Sequence, residues 1–217
     1  MVCSWIGHEV GLPLPPSRFV RVPRARLPKG CAWPYRDVDE QCTFGSIAIE
    51  DARPLVTFES TLAQAKIDSW PFLDLAAAFD QLIANDDRTQ GNSLMDPRGG
   101  LWLIDHARSL GGGGQRFFSS EVLPLVSNFF LSRIASFSMA ERMKRRDSLL
   151  AASTRLMNAA MTVPYEKLLV PTDMANQIRD FLQRRAPLLS AMVLDVAGIP
   201  DLSGMSPHED AAWRNPS

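Results

Sequence analysis

The stretch Phe79-Asp80-Gln81-Leu82-Ile83-Ala84-Asn85-Asp86-Asp87-Arg88-Thr89-Gln90-Gly91-Asn92 decides how this chain is read. It begins on the apolar face of a helix and ends in a loop dense with hydrogen-bonding side chains. The helix is predicted over Ser69–Ala84, with Ser69 as its cap and Pro71 in its first turn. Phe72, Leu75, Ala76, Phe79, Leu82 and Ile83 give it a broad apolar face, as in a buried helix. Beyond the polar residues 85–92, the runs Ser93-Leu94-Met95 and Leu101-Trp102-Leu103-Ile104 flank Asp96-Pro97-Arg98-Gly99-Gly100. Turn chemistry of that kind between apolar runs predicts a β-hairpin.

If residues 93–95 and 101–104 pair as antiparallel strands, their outer ends lie side by side. Asn92 enters the first strand and Asp105 leaves the second, so the two are predicted to be neighbours despite thirteen residues of separation. Asp87, in the loop leaving the helix, can point at the same spot. An amide and a carboxylate beside a second carboxylate suit Mg²⁺ bridged to nucleotide phosphates. A carboxylate near the metal, but not held by it, can accept a proton from an incoming hydroxyl. The same residues also serve a plain turn, with Asp86, Asp87 and Asn92 shaping the loop and Asp105 capping the hairpin end.

Outward from this region, the chain has the means to bury such a site. Its 217 residues suffice for one full-sized domain, or one with a small appended lobe. Hydrophobic residues make up 46% and charged residues 22%, which excludes disorder as the dominant state. The formal charge of -1 provides no global field toward nucleic acid or anionic membrane, and neither direct nucleic-acid binding nor membrane association is expected. Cys3, Cys31 and Cys42 form no Cys-x-x-Cys pair, and the residues before Gly11 lack a basic leader. With no apolar run long enough for a membrane helix, the expected location is cytoplasmic.

Residues 1–60 hold short apolar pieces broken by prolines, and strands are predicted around Phe19-Val20-Val22 and over Cys42–Ile49. The basic residues Arg18, Arg21, Arg24, Arg26 and Lys29 read as a solvated edge, with phosphate contact as the alternative. After Gly111–Gly114, read as a connector, the pattern is helical. Met139, Met143, Leu150, Met157 and Met161 share one face, and Thr172 is placed to cap a helix carrying Met174, Ile178, Phe181 and Leu182 until Pro187.

Other chemistries fail on spelling. No Gly-Lys-Ser/Thr follows the glycine run, and Arg116 stands in the third glycine's place of a dinucleotide fingerprint. A calcium loop starting at Asp86 would put Arg88, Gln90 and Pro97 at ligand positions. His8-Glu9 has no second histidine four residues on, and no Gly-x-Ser-x-Gly elbow exists.

The Phe79–Asn92 block, followed by Leu101–His106, resembles the catalytic core of HipA-like kinases, with their pattern Asn-x-Asp-Arg-His-x-x-Asn and then Ile-Asp-His/Phe. That pattern is shared with the phosphatidylinositol-kinase branch of the protein-kinase-like fold. Gly11-Leu12-Pro13-Leu14-Pro15-Pro16 looks like the family's Gly-Leu-Pro-x-Pro segment, and Phe44-Gly45-Ser46 like its hinge approach. The motif coverage is roughly residues 8–110, and the block at 79–106 is the specific part. Thr89 stands where the family usually has histidine.

The resemblance implies an α+β, protein-kinase-like fold. Residues 1–60 would form a partial N-lobe and hinge, 61–205 a helical catalytic C-lobe with a short active-site hairpin, and 206–217 a flexible tail. It makes Asp87 the catalytic base, and Asn92 and Asp105 the Mg²⁺ ligands. The Phe44, Gly45, Ser46 and Ile47 backbone would meet the adenine of ATP, with Arg88 and His106 supporting. The implied reaction is phosphoryl transfer from Mg·ATP to a protein Ser/Thr hydroxyl. Such kinases present an N-lobe lysine to the phosphates. None of the four lysines here precedes residue 11, so the N-lobe is expected to be incomplete, to be completed by a partner, or to belong to a pseudokinase acting as a binding module. A lipid or small-molecule acceptor is the further alternative. The family name also carries an association with toxin–antitoxin systems.

Overall fold

The computed structural model describes residues 1–26, 40–106, 108–112, 125–126, 128–168 and 170–200. In chain order, the helix α1 (Val2–Glu9) leads to the strands β1 (Ser17–Pro23), β2 (Glu40–Ser46) and β3 (Arg53–Pro54). The helices α2 (Ser60–Asp68) and α3 (Leu73–Leu82) precede the strands β4 (Ser93–Met95) and β5 (Leu101–Leu103). Then come α4 (Ser109–Gly112), α5 (Phe129–Ala135), α6 (Met139–Met161), α7 (Thr172–Arg185) and α8 (Leu189–Val196). This is a mostly helical α+β arrangement with small antiparallel sheets.

The core is organised on α3. All ten of its residues are buried, and it packs against α5, α6 and α8. Phe79 is fully buried, and removing a side chain of that size from water contributes about 2–3 kcal/mol. A helix surrounded in this way cannot leave its terminal carbonyls unsatisfied. Arg185, itself fully buried at the end of α7, donates to the carbonyls of Gln81 (2.7 Å) and Leu82 (3.1 Å). At the entrance to α5, Asn128 accepts from the Leu131 amide at 2.8 Å and donates to the Ala77 carbonyl at 3.2 Å. The long α6 starts on a reciprocal cap between Ser138 and Glu141.

The predicted hairpin forms with Ser93 opposite Leu103 and Met95 opposite Leu101. Asp96 closes its turn, accepting from the amides of Arg98 and Gly100 and from the Trp102 indole. Those donors, the Trp102 indole first, hold its carboxyl below the usual range. A third strand, β3, pairs with β4, an addition too short to show in the sequence pattern. On the other edge, the Leu103 amide donates to the Pro13 carbonyl at 2.9 Å, which ties the proline-rich segment to the hairpin. The second sheet pairs β1 with β2, Phe19 opposite Phe44.

Several local expectations are corrected. The helix predicted from Ser69 starts at Leu73, because Ser69 closes α2 by donating to the Ala65 carbonyl at 2.8 Å. The β2 strand stops at Ser46, before Ile47 and Ile49, opposite Ser17, where its partner β1 begins. On α6, Met143, Leu150 and Met157 pack against the core from its margin, Met139 and Met161 are exposed, and Leu149, Ala152, Leu156, Ala159 and Ala160 form the buried face. Pro171, not Thr172, occupies the cap of α7, and among the described residues no side-chain cap forms there. Gly111 and Gly112 end α4, while Gly113, Gly114 and the tail 206–217 lie outside the described residues. Arg18, Arg21 and Arg26 are exposed, as a solvated edge requires, and Lys29 is outside the described residues. Among the described residues, no helix is long and apolar enough to cross a membrane.

Candidate active site

The loop after α3 is set by how the helix ends. The Asn85 amide donates to the Asp80 carbonyl at 2.9 Å and the Ala84 amide to that of Gln81 at 3.3 Å, around a left-handed Ala84 at φ 50°. This is a Schellman closure with alanine in the position glycine usually takes. It reverses the chain so that Asn85–Arg88 turn back toward the hairpin.

Arg88 then anchors the loop from inside. Its guanidinium grips both carboxylate oxygens of Asp80, Nε to Oδ2 at 2.8 Å and Nη2 to Oδ1 at 3.0 Å. Both side chains are fully buried. The remaining nitrogen, Nη1, donates to the carbonyls of Asn92 and Ile104, each at 2.7 Å. One side chain thus pins the entrance of β4 to the exit of β5. The Ile104 amide closes the same junction by donating to the Asn92 carbonyl at 3.1 Å. Asn85 completes the anchor, donating from Nδ2 to Asp80 at 2.9 Å and accepting from the Asp87 amide at 3.2 Å.

Asn92 donates from Nδ2 to the Asp87 carbonyl at 2.7 Å, so the two ends of the polar loop meet directly. With its nitrogen committed, the atom left to face a cation is the amide oxygen. Asp105 follows the pinned Ile104 and stands at φ 54°, in the left-handed region. Such conformations are uncommon outside glycine and collect at functional sites. Asp105 and His106 line a cleft of about 370 Å³ with Phe44 and Ser46 from β2, Leu14 and Pro15 from the proline-rich segment, and Cys3 from α1. Gly45 and Ile47 flank this edge, and the Ile47 amide donates to the Pro16 carbonyl at 2.8 Å.

His106 is largely buried, edge-on to Phe79 with ring centroids 5.5 Å apart. Burial first, and the positive charge of Arg88 second, push its imidazole down to about 3, so it is neutral at physiological pH. Among the described residues, its buried Nε2 has no hydrogen-bond partner. Burial likewise drives the Cys3 thiol up to about 11. On the open side of the loop, Arg108 reaches both acidic neighbours, Asp86 at 3.3 Å and Asp87 at 3.4 Å.

Three participants escaped the sequence reading: Asp80, Asn85 and Arg108. Asp80 carried a legible signal, since a carboxylate inside an otherwise apolar helix face needs a buried partner. Arg108 carried none, because an exposed arginine is ordinary. The site's oxygen donors fit Mg²⁺ in kind. Among the described residues, no three His, Cys, Asp or Glu side chains gather into a cage. Mg²⁺ held with nucleotide phosphates needs only one or two protein carboxylates.

Comparison with protein families agrees with the resemblance and extends its reach. The model for the HipA-like kinase family matches residues 1–195, a longer span than the motifs alone. No curated protein and no solved structure matches the chain. The family implies a protein-kinase-like fold and the use of ATP and Mg²⁺. With the match running from α1 through nearly all of α8, the chain belongs to the HipA-like kinase family.

Proposed function

We propose that the chain transfers the γ-phosphoryl group of ATP to a Ser/Thr hydroxyl of a protein substrate. The observation that supports this is the cleft between β2 and Asp105, whose lining does not include Asp87 or Asn92. Phe44 and Ser46 on one wall and Asp105 on another enclose about 370 Å³, and the adjoining loop holds Asp87 and Asn92 together. In this reading residues 61–205 are the catalytic lobe, and residues 1–60 supply the hinge and part of a smaller lobe. The β2 end at Phe44–Ile47 meets the adenine. Arg88 keeps the loop and hairpin in register, and neutral His106, next in the chain to Asp105, packs on Phe79.

Asn92 and Asp105 are the residues that would hold Mg²⁺, which when bound neutralises charge on the phosphate oxygens. Asp87 orients the acceptor hydroxyl and takes its proton. The acceptor oxygen bonds to the γ-phosphorus as the bond from that phosphorus to the β,γ-bridging oxygen breaks, and ADP leaves. Little covalent chemistry is asked of the protein, so rate depends on positioning and charge.

The test combines nucleotide binding with phosphotransfer to protein, lipid and small-molecule acceptors. Asp87→Asn is expected to retain Mg·ATP and lose turnover by roughly 10²–10⁴-fold. Asp105→Asn is expected to weaken Mg·ATP binding itself. Binding without transfer to any acceptor would make the chain a nucleotide-dependent binding module. Absence of binding at millimolar ATP would remove the reading altogether.

A further inference from the structure

Arg108 lies three residues beyond Asp105, and its guanidinium spans Asp86 and Asp87 at 3.3 and 3.4 Å. Its side chain is 57% exposed, and the two carboxylates are 42% and 37% exposed. Exposed pairs of this length hold little energy, so the guanidinium can leave at small cost. The loop's other arginine cannot. Arg88 is fully buried and every nitrogen of its guanidinium is bonded, to Asp80, Asn92 or Ile104.

We infer that Arg108 is the cation that binds the terminal phosphate of ATP, resting on Asp86 and Asp87 until nucleotide arrives. This rests on the kinase reading above and adds a phosphate-contacting residue to it. The chemistry favours the exchange. A planar guanidinium matches phosphate oxygens with two parallel N–H donors, and the terminal phosphate carries more charge than either carboxylate. Leaving Asp87 has a second effect: it removes a cation from the group that must accept the acceptor's proton. Arg108 exchanges no atom in the reaction. It compensates charge on the γ-phosphoryl oxygens while the bond to the bridging oxygen breaks.

The test is calorimetric titration of the full chain with Mg·ATP and Mg·ADP, for wild type, Arg108→Ala and Arg108→Lys. Wild type is expected to prefer ATP. Arg108→Ala should lose that preference by roughly tenfold, the worth of one charge-assisted hydrogen bond in a partly solvated site, with ADP affinity unchanged. Arg108→Lys should keep part of it, since it retains charge without the fork. Unchanged ADP binding also reports that the variant is folded. An equal ATP-to-ADP ratio in wild type and Arg108→Ala, or parallel loss of both nucleotides in a chain that melts like wild type, would overturn the role of Arg108 and leave the kinase reading intact. If wild type binds neither nucleotide, both fall together.

Discussion

Asp80 and Arg88 form a two-pronged ion pair, 2.8 and 3.0 Å, with neither side chain reaching solvent. The pair joins the helix that organises the core to the loop that carries the chemistry. Removing one partner from a buried pair leaves a charge without compensation, which costs about 3–5 kcal/mol. Asp80→Leu is therefore expected to lower stability by about that amount, read from urea unfolding. Arg88→Lys should also be costly, because an ammonium cannot hold Asp80 bidentately while reaching the Asn92 and Ile104 carbonyls. A loss below about 1 kcal/mol in both variants would show that the loop is held by something else.

Cys3 gives the fold a pH dependence on the alkaline side. Its thiol lies in the core at 7% exposure, and desolvation raises it from the ordinary 9 to about 11. Between those values the unfolded chain has released this proton and the folded chain still holds it. Stability is thus intact below about pH 9 and falls as pH rises toward 11, by at most about 1.4 kcal/mol per pH unit from this group. Cys3→Ala should show a shallower alkaline slope than wild type, whatever its stability at neutral pH. Parallel slopes would mean that the thiol does not titrate this way.

Much of this was legible in residues 79–106 because two signals coincide there. The apolar face around Phe79 specifies burial, and Asp96–Gly100 specifies the hairpin turn, so the juxtaposition of Asn92 and Ile104 follows from strand pairing. Hydrogen bonds made across the fold left no local trace. Arg185 meets the end of α3 from 104 residues away, and Arg88 reaches Ile104 over 16. The buried face of α6 was unmarked for the same reason. Hydrophobicity marked the methionines, but the close approach of α3 selects the smaller Ala152 and Ala159 with Leu149 and Leu156.

The left-handed Ala84 stores strain that glycine would release. An L-residue with a Cβ loses about 1–2 kcal/mol in this conformation, whereas glycine does not. Ala84→Gly should raise the unfolding free energy by about 0.5–1 kcal/mol, after allowing for glycine's greater freedom in the unfolded chain. A thermal melt at neutral pH measures this. A lower melting temperature would mean that the buried methyl of Ala84 contributes more than the strain costs.

At Asp105 the backbone and the carboxylate can be separated by comparing three substitutions. Asp105→Gly, Asp105→Asn and Asp105→Ala each remove the negative charge of the carboxylate, so all three should weaken Mg·ATP binding. They differ in tolerance for φ 54°: glycine accepts it freely, asparagine does so with little penalty, and alanine resists it. Stability should therefore rank Gly and Asn above Ala, by about 1 kcal/mol, while nucleotide affinity does not follow that order. Affinity that instead tracks stability across the series would mean that Asp105 serves the site through its backbone turn. Retained Mg·ATP binding in Asp105→Asn would remove Asp105 from the metal and place the burden of holding it on other oxygens.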